Sequence, residues 1–191
     1  MALLLNDVVV EHREISLKNR PKELYSISPK GTVPVLHLSD NIVIDESHDI
    51  MLWAFKNNSS DFKNEDNLNI INNNDNDFKY YLDRYKYYDR FPEHNQNYYR
   101  TKCDEFLLVI DSKLKKQKHL NSDLIGFIDL SIFPFIRQFN HVDPLYLPEH
   151  YPAINVCLNL IVNSRIFKNV MYKYDFWTPN DNSLIVNYNH E

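Results

Sequence analysis

Two short stretches near the start of the chain hold polar groups where a small ligand could bind. Pro34 lies inside the apolar run 33–38, where a proline cannot donate a hydrogen bond to a strand ladder. Glu46 and Ser47 come just before the apolar stretch 50–55, which is typical of a helix. An acid and a hydroxyl therefore stand at a helix N-terminus, whose free backbone N–H groups can also bind a ligand carboxylate.

The elements that position these groups are a hairpin and the helix that follows it. Apolar runs at 33–38 and 42–44 flank a turn at 39–41, which predicts two paired strands. A proline within such a strand indicates an edge, a bulge or a cis bond. The simpler alternative is a structural hairpin and a capped helix, with Pro34 as a turn residue.

Composition excludes several other classes of protein. The chain has 191 residues, 43% of them hydrophobic, and a net charge of −5, with no basic region typical of nucleic-acid binding. No apolar run approaches the roughly 20 residues needed to span a bilayer. With two glycines, the sequence has no glycine-rich phosphate loop, and its two separated cysteines do not form a zinc motif. We therefore predict a cytoplasmic protein with no metal, no nucleic-acid partner and no membrane association.

The chain changes character after residue 56. Nine of the 21 residues from 57 to 77 are Asn, which predicts an exposed linker. From 78 to 177 the apolar residues recur at helical spacing, which predicts an all-helical domain. Residues 178–191 are polar and are expected to form a loose tail.

Four segments, taken in order, resemble the glutathione transferase family of the bacterial type: SPKGTVPVL, IDESHDIMLWA, LDRYKYYDRFPEH and IFPFIRQF. In that family, the residue before a cis-proline pairs its backbone with the cysteinyl unit of glutathione, and an acid–serine pair holds the γ-glutamyl end. The resemblance assigns the first role to Val33 and Pro34, and the second to Glu46 and Ser47.

The resemblance also implies a fold. Residues 1–56 would form a truncated thioredoxin-like α/β domain, which the linker 57–77 joins to the all-α transferase domain 78–177. Within that domain the family has a capping box, in which Asp129 matches the acid while Gly126 occupies the cap position. Glycine is a tolerable cap, inferior to serine by a few tenths of a kcal/mol.

The implied function is conjugation of glutathione, as co-substrate, to an electrophilic small molecule, by a homodimer. In the family, the reactive Cys, Ser or Tyr lies where the first strand meets the helix that follows it, and residues 1–3 match the end of that helix. We therefore predict no catalytic residue within 1–191 and low activity of these residues alone. The alternative is a non-catalytic, transferase-like module for dimerisation or partner binding.

Overall fold

The computed structural model describes residues 1–39, 42–56 and 64–188. It divides into two compact units. The first combines residues 1–58 with residues from 165 onward, and the second comprises residues 59–164.

The first unit mixes short strands with helices. Its helices are α1 (Ala2–Leu5), α2 (Lys22–Ile27), α3 (Ser47–Phe55) and α10 (Arg165–Val170). Its strands are β1 (Val10–Glu11), β2 (Leu36–His37), β3 (Val43–Ile44) and β4 (Ile185–Val186). The predicted hairpin is the antiparallel pair β2–β3, in which Leu36 faces Ile44. Two residues of its turn, 40 and 41, lie outside the described residues.

The end of the chain pairs with its beginning. Strand β4 runs antiparallel to β1 with Val186 opposite Val10, and the His12 N–H donates to the Leu184 carbonyl at 2.8 Å. Further along, the Trp177 N–H donates to the Glu14 carbonyl at 2.7 Å. The expectation of a loose tail is therefore wrong for the described part of 178–191, because a short apolar run there forms strand hydrogen bonds and buries Val186.

His12 packs against the returning segment. Its Nδ1 lies 3.0 Å from the Tyr188 hydroxyl, its ring centroid lies 4.4 Å from that of Tyr174, and its Nε2 lies 3.7 Å from a Glu14 carboxylate oxygen. Burial lowers the pKa of His12 below its ordinary value, and this outweighs the opposing effect of Glu14. The folded protein thus favours neutral His12.

We expect this histidine to make the β1–β4 region less stable in acid. The pKa of His12 is lower in the folded state than its value of about 6.5 in the unfolded state. Its contribution to the free energy of unfolding is therefore complete above about pH 7.5 and is lost as the pH falls through the folded-state pKa. Urea unfolding, followed by fluorescence between about pH 5 and pH 7.5, should show a smaller pH dependence for His12→Gln than for the wild type. The same dependence in both proteins would show that other groups cause it.

The described residues of the second unit, 64–164, form helices joined by turns and loops. Its helices are α4 (Glu65–Asn73), α5 (Lys79–Lys86), α6 (Gln96–Leu114), α7 (Phe127–Val142), α8 (Tyr146–His150) and α9 (Pro152–Asn163), with a π-helical turn at Asn74–Phe78 and a 3-10 turn at Tyr88–Arg90. Large side chains that are almost fully buried form its core: Phe78, Leu82, Leu107, Ile110, Phe127, Ile128, Ile132, Phe139, Leu147 and Ile154.

The structure differs from the predicted linker 57–77. Residues 57–63 lie outside the described residues, but 64–77 are almost entirely helical. Asn64 caps α4, because its side-chain oxygen accepts hydrogen bonds from the N–H groups of Asp66 and Asn67 at 2.9 and 3.3 Å. Ile70 and Ile71 are buried, so the few apolar residues of this polar segment anchor it to the core. The second unit also ends near residue 164 rather than 177, because α10 groups with the first unit.

The predicted acid of the capping box is confirmed. The Gly126 N–H donates to Asp129 Oδ2 at 2.9 Å, while Asp129 Oδ1 accepts a hydrogen bond from the Leu120 N–H at 2.8 Å. Gly126 has no side chain with which to return the bond.

Among the described residues, no helix is both long enough and apolar enough to cross a membrane.

Candidate ligand-binding site

The four predicted site residues lie in the first unit, on either side of the β2–β3 hairpin. Val33 and Pro34 form the loop that leads into β2; their peptide bond is cis, and Val33 is 44% exposed. Glu46 and Ser47 follow β3, at the cap position and first residue of α3, and both are exposed. The hairpin therefore connects the two parts of the candidate site.

Side-chain contacts attach the first loop to the start of α3. Lys30 Nζ lies 3.2 Å from Asp45 Oδ1 and 3.1 Å from Glu46 Oε1, and the Ser28 hydroxyl donates to Asp45 Oδ2 at 3.1 Å. Glu46 and Asp45 raise the pKa of Lys30, and Lys30, followed by Ser28, lowers the pKa of Asp45. These contacts hold the start of loop 28–34 beside Glu46.

The predicted site residues did not include Ser28, Lys30 or Asp45. Lys30 belongs to the SPKGTVPVL segment and Asp45 to IDES, so both lay within the motifs that predicted the site. Their contact joins residues 15 positions apart in sequence. Lys30 and Asp45 come together only when the hairpin between them folds.

The N-terminus of α3 is open to a ligand. Glu46 has an extended backbone, with φ −115° and ψ 133°, and its side chain makes no hydrogen bond to the first amides of the helix. Its backbone carbonyl accepts from the Ile50 N–H at 3.0 Å, which fixes the first turn. First-turn N–H groups and the exposed Ser47 hydroxyl together form a site suited to a carboxylate, with the Glu46 carboxylate beside it for a cation.

Gly31 allows the turn that begins this loop. Its N–H donates to the Ser28 carbonyl at 2.9 Å, and its φ is +62°, a conformation that favours glycine. A Cβ at this position would lie 2.3 Å from Cε1 and 2.9 Å from Cζ of Tyr25. The ring of Tyr25 thus packs directly against the loop.

We expect Gly31→Ala to lower the free energy of unfolding by about 1–2 kcal/mol, because alanine is strained at positive φ. It should also weaken ligand binding at the site by displacing loop 28–34. The double variant Gly31→Ala/Tyr25→Ala removes the clash with the ring but keeps the backbone strain, so urea unfolding of both variants separates the two effects. Unfolding free energies equal to that of the wild type would show that the turn tolerates a side chain.

The two cysteines of the chain lie in the second unit and are buried. Burial raises the pKa of both thiols above the ordinary value, that of Cys157 to about 12. A buried thiol that stays protonated is a poor nucleophile. Neither residue therefore supplies a reactive thiolate.

Comparison with known proteins identifies the family of the first unit. Residues 1–56 match the family model described as glutathione S-transferase, N-terminal domain. These residues include the whole candidate site. A search of curated proteins found no match.

Solved glutathione transferases share the fold of most of the chain. A glutathione S-transferase from Pseudomonas fluorescens aligns with a TM-score of 0.64 and 16% identity, over 85% of this chain and 87% of the other. A variant of a poplar glutathione transferase aligns with a TM-score of 0.68 and 22% identity, over 89% and 88%. A family member from Pseudomonas fluorescens, solved with two glutathione molecules bound, has a TM-score of 0.66 and 15% identity, over 85% and 82%.

The fold and the candidate site therefore define a thioredoxin-like domain combined with a helical domain, as in glutathione transferases. The fold class predicted from the sequence is confirmed. Residues 1–56 are similar to the N-terminal domain of the glutathione S-transferase family, and the rest of the chain is linked to these proteins by its fold.

Proposed function

We propose that the chain binds glutathione through Val33, Pro34, Glu46 and Ser47, and that glutathione is a co-substrate for conjugation to an electrophilic small molecule. The observation that supports this most is the exposed acid–serine pair at the open N-terminus of α3, attached through Lys30 to the Val33–Pro34 loop. Solved relatives of the same fold contain bound glutathione.

Two of the three parts of glutathione, the γ-glutamyl and cysteinyl units, have matching groups in this site. The γ-glutamyl carboxylate accepts hydrogen bonds from the Ser47 hydroxyl and the first amides of α3, and its ammonium pairs with Glu46. Lys30 Nζ contacts Glu46 through Oε1, so Oε2 remains for the ammonium. The backbone of Val33, which is an exposed residue, pairs with the cysteinyl unit in the manner of a strand.

Conjugation requires activation of the glutathione thiol. A thiol with an ordinary pKa of about 8.5 is only a few per cent thiolate at neutral pH, so transferases supply a donor that stabilises the anion. The thiolate sulfur then bonds to the electrophilic carbon as the leaving group departs, and the thiol proton passes to solvent. We assign no residue of this chain to the activating role, and the absence of a catalytic residue from 1–191 stays a prediction.

Calorimetric titration with glutathione, followed by a conjugation assay with a chlorinated aromatic electrophile, tests the proposal. Saturable binding with turnover supports both of its parts. Binding without turnover would retain the glutathione site and replace conjugation by the alternative of a non-catalytic module. No binding at millimolar glutathione would reject the proposed function.

The proposal extends to a homodimer. Exposed apolar side chains occur in pairs on two helices of the second unit, Leu108 with Val109 on α6 and Val156 with Leu160 on α9. If these side chains form one contiguous patch, it would be typical of an association surface. Light scattering after gel filtration measures the mass directly, and a monomer mass at all concentrations tested would reject the dimer. The cytoplasmic location stays a prediction.

A further inference from the structure

Three side chains that commonly bind metals meet inside the helical unit. His119 belongs to the loop between α6 and α7, Asp129 to the first turn of α7, and Cys157 to α9. They are 7%, 2% and 7% exposed, and one potential ligand atom from each lies within 4.8 Å of the other two. Chemistry-bearing residues from three separate elements thus converge in the interior.

The distances between these atoms are close to those of a coordination site. His119 Nδ1 lies 3.7 Å from Cys157 Sγ and 3.9 Å from Asp129 Oδ1. Around a tetrahedral zinc ion, with bonds of about 2.3 Å to sulfur and about 2.0–2.1 Å to nitrogen and oxygen, ligand atoms lie about 3.4–3.6 Å apart. Shifts of a few tenths of an ångström to about 1 Å would close the site.

We propose that His119, Asp129 and Cys157 bind one zinc ion, which connects the loop after α6 to α7 and α9. Nitrogen, sulfur and oxygen donors together suit Zn²⁺, whereas Mg²⁺ and Ca²⁺ prefer oxygen alone. Binding releases the Cys157 thiol proton to solvent, and the thiolate and the Asp129 carboxylate then balance the two positive charges. The resulting neutral centre avoids the large free-energy cost of an uncompensated charge in an apolar interior.

The surroundings support this arrangement. The Leu120 N–H donates to Asp129 Oδ1 and the Gly126 N–H donates to Oδ2, which orients the carboxylate while leaving lone pairs for a metal. The His119 N–H donates to the Ser122 carbonyl at 3.1 Å and closes the loop. Asp129 and Cys157 also border a cavity of about 30 Å³, which is otherwise lined by apolar side chains and has room for about one water.

Two other functions of the trio are less consistent with the structure. A Cys–His–Asp arrangement can serve a nucleophilic cysteine, but all three side chains here are buried, so a substrate has no access to the sulfur. The trio could instead be a thiol–imidazole hydrogen bond beside a helix cap, with no metal. Only the zinc site predicts a bond between a metal and Cys157, and this difference can be measured.

The test uses the full chain, stripped of metal by a chelator and titrated with Co²⁺ as a spectroscopic substitute for Zn²⁺. We expect about one Co²⁺ per chain, with a thiolate-to-cobalt charge-transfer band in the near ultraviolet. The band should be absent in Cys157→Ser and present in Cys103→Ser, a matched control whose cysteine is also buried in the second unit. Adding Zn²⁺ to the stripped wild type should raise Tm by about 5 °C or more, with a much smaller rise in Cys157→Ser.

A stripped wild type that shows no charge-transfer band on saturation with Co²⁺ would overturn the proposal. This measurement needs no variant, so it remains decisive even if Cys157→Ser fails to fold. Cobalt bound without the sulfur band would indicate a histidine site elsewhere, which also overturns it. Equal rises in Tm for the wild type and Cys157→Ser would do the same.

Discussion

Replacing Ser47 by alanine is expected to raise the dissociation constant of glutathione at least about 10-fold. The hydroxyl lies at the N-terminus of α3, where it would donate to the γ-glutamyl carboxylate together with the first amides of the helix. A hydrogen bond to a charged group contributes about 1.5–3 kcal/mol, and 1.4 kcal/mol corresponds to a factor of 10. Calorimetric titration of wild type and Ser47→Ala with glutathione measures the difference.

The matched control is Ser183→Ala. Ser183 is an exposed serine of the same unit, in the segment that leads into β4. Its replacement should leave the dissociation constant within about 2-fold, since surface substitutions away from a site change free energies by less than about 0.5 kcal/mol. Equal affinities of wild type and Ser47→Ala would place the ligand carboxylate elsewhere and remove Ser47 from the site.

The hairpin and the helix that carry the candidate site could be predicted because their signals are local. A proline within an apolar run and an acid–serine pair before a helix each occupy a few consecutive residues, and the hairpin between them has a short turn. The contacts that support the site are less visible, because Lys30 could have been a solvated cation on a loop. Its pairing with Asp45 and Glu46 depends on how the hairpin folds.

The role of the C-terminal segment could not be predicted for a similar reason. Strands β1 and β4 are two residues long and are separated by most of the chain, so neither has a periodicity that identifies its partner. Leu184, Ile185 and Val186 gave the only local signal, within a segment that is otherwise polar. In this segment, long-range strand pairing produced an ordered structure despite the polar local sequence. Burial of Ile70 and Ile71 had the same effect in α4.

The contacts of a buried acid in the helical unit were also beyond prediction from local sequence. Asp111 of α6 is 3% exposed, and its Oδ1 accepts hydrogen bonds from the N–H groups of Ala153 and Ile154 at the start of α9. This carboxylate caps a helix about 40 residues away in sequence, and Lys115 pairs with its other oxygen at 2.8 Å. A cap supplied by a different helix has no sequence signature. Asp129 was predicted through the resemblance to glutathione transferases, whose capping box places the acid three residues after the cap.

We expect Asp129→Ala to lower the free energy of unfolding of the helical unit by about 3 kcal/mol. Its two carboxylate oxygens accept from the N–H groups of Leu120 and Gly126, and each buried donor left without a partner costs about 1–3 kcal/mol. Burial raises the pKa of Asp129, so desolvation offsets part of the gain and the loss should stay below the sum of the two largest costs. Urea unfolding in the presence of a chelator measures this loss without any contribution from bound metal.

Two further substitutions separate the cap from a general effect of charge. Asp129→Asn keeps one side-chain oxygen as an acceptor but presents an NH₂ group to the second N–H donor, so it should lose an intermediate amount of free energy. Asp123→Ala removes an exposed aspartate from the same inter-helix loop and should change stability by less than about 0.5 kcal/mol. If Asp129→Ala and Asp123→Ala lowered the free energy of unfolding equally, the buried carboxylate would not act as the cap that orders the start of α7.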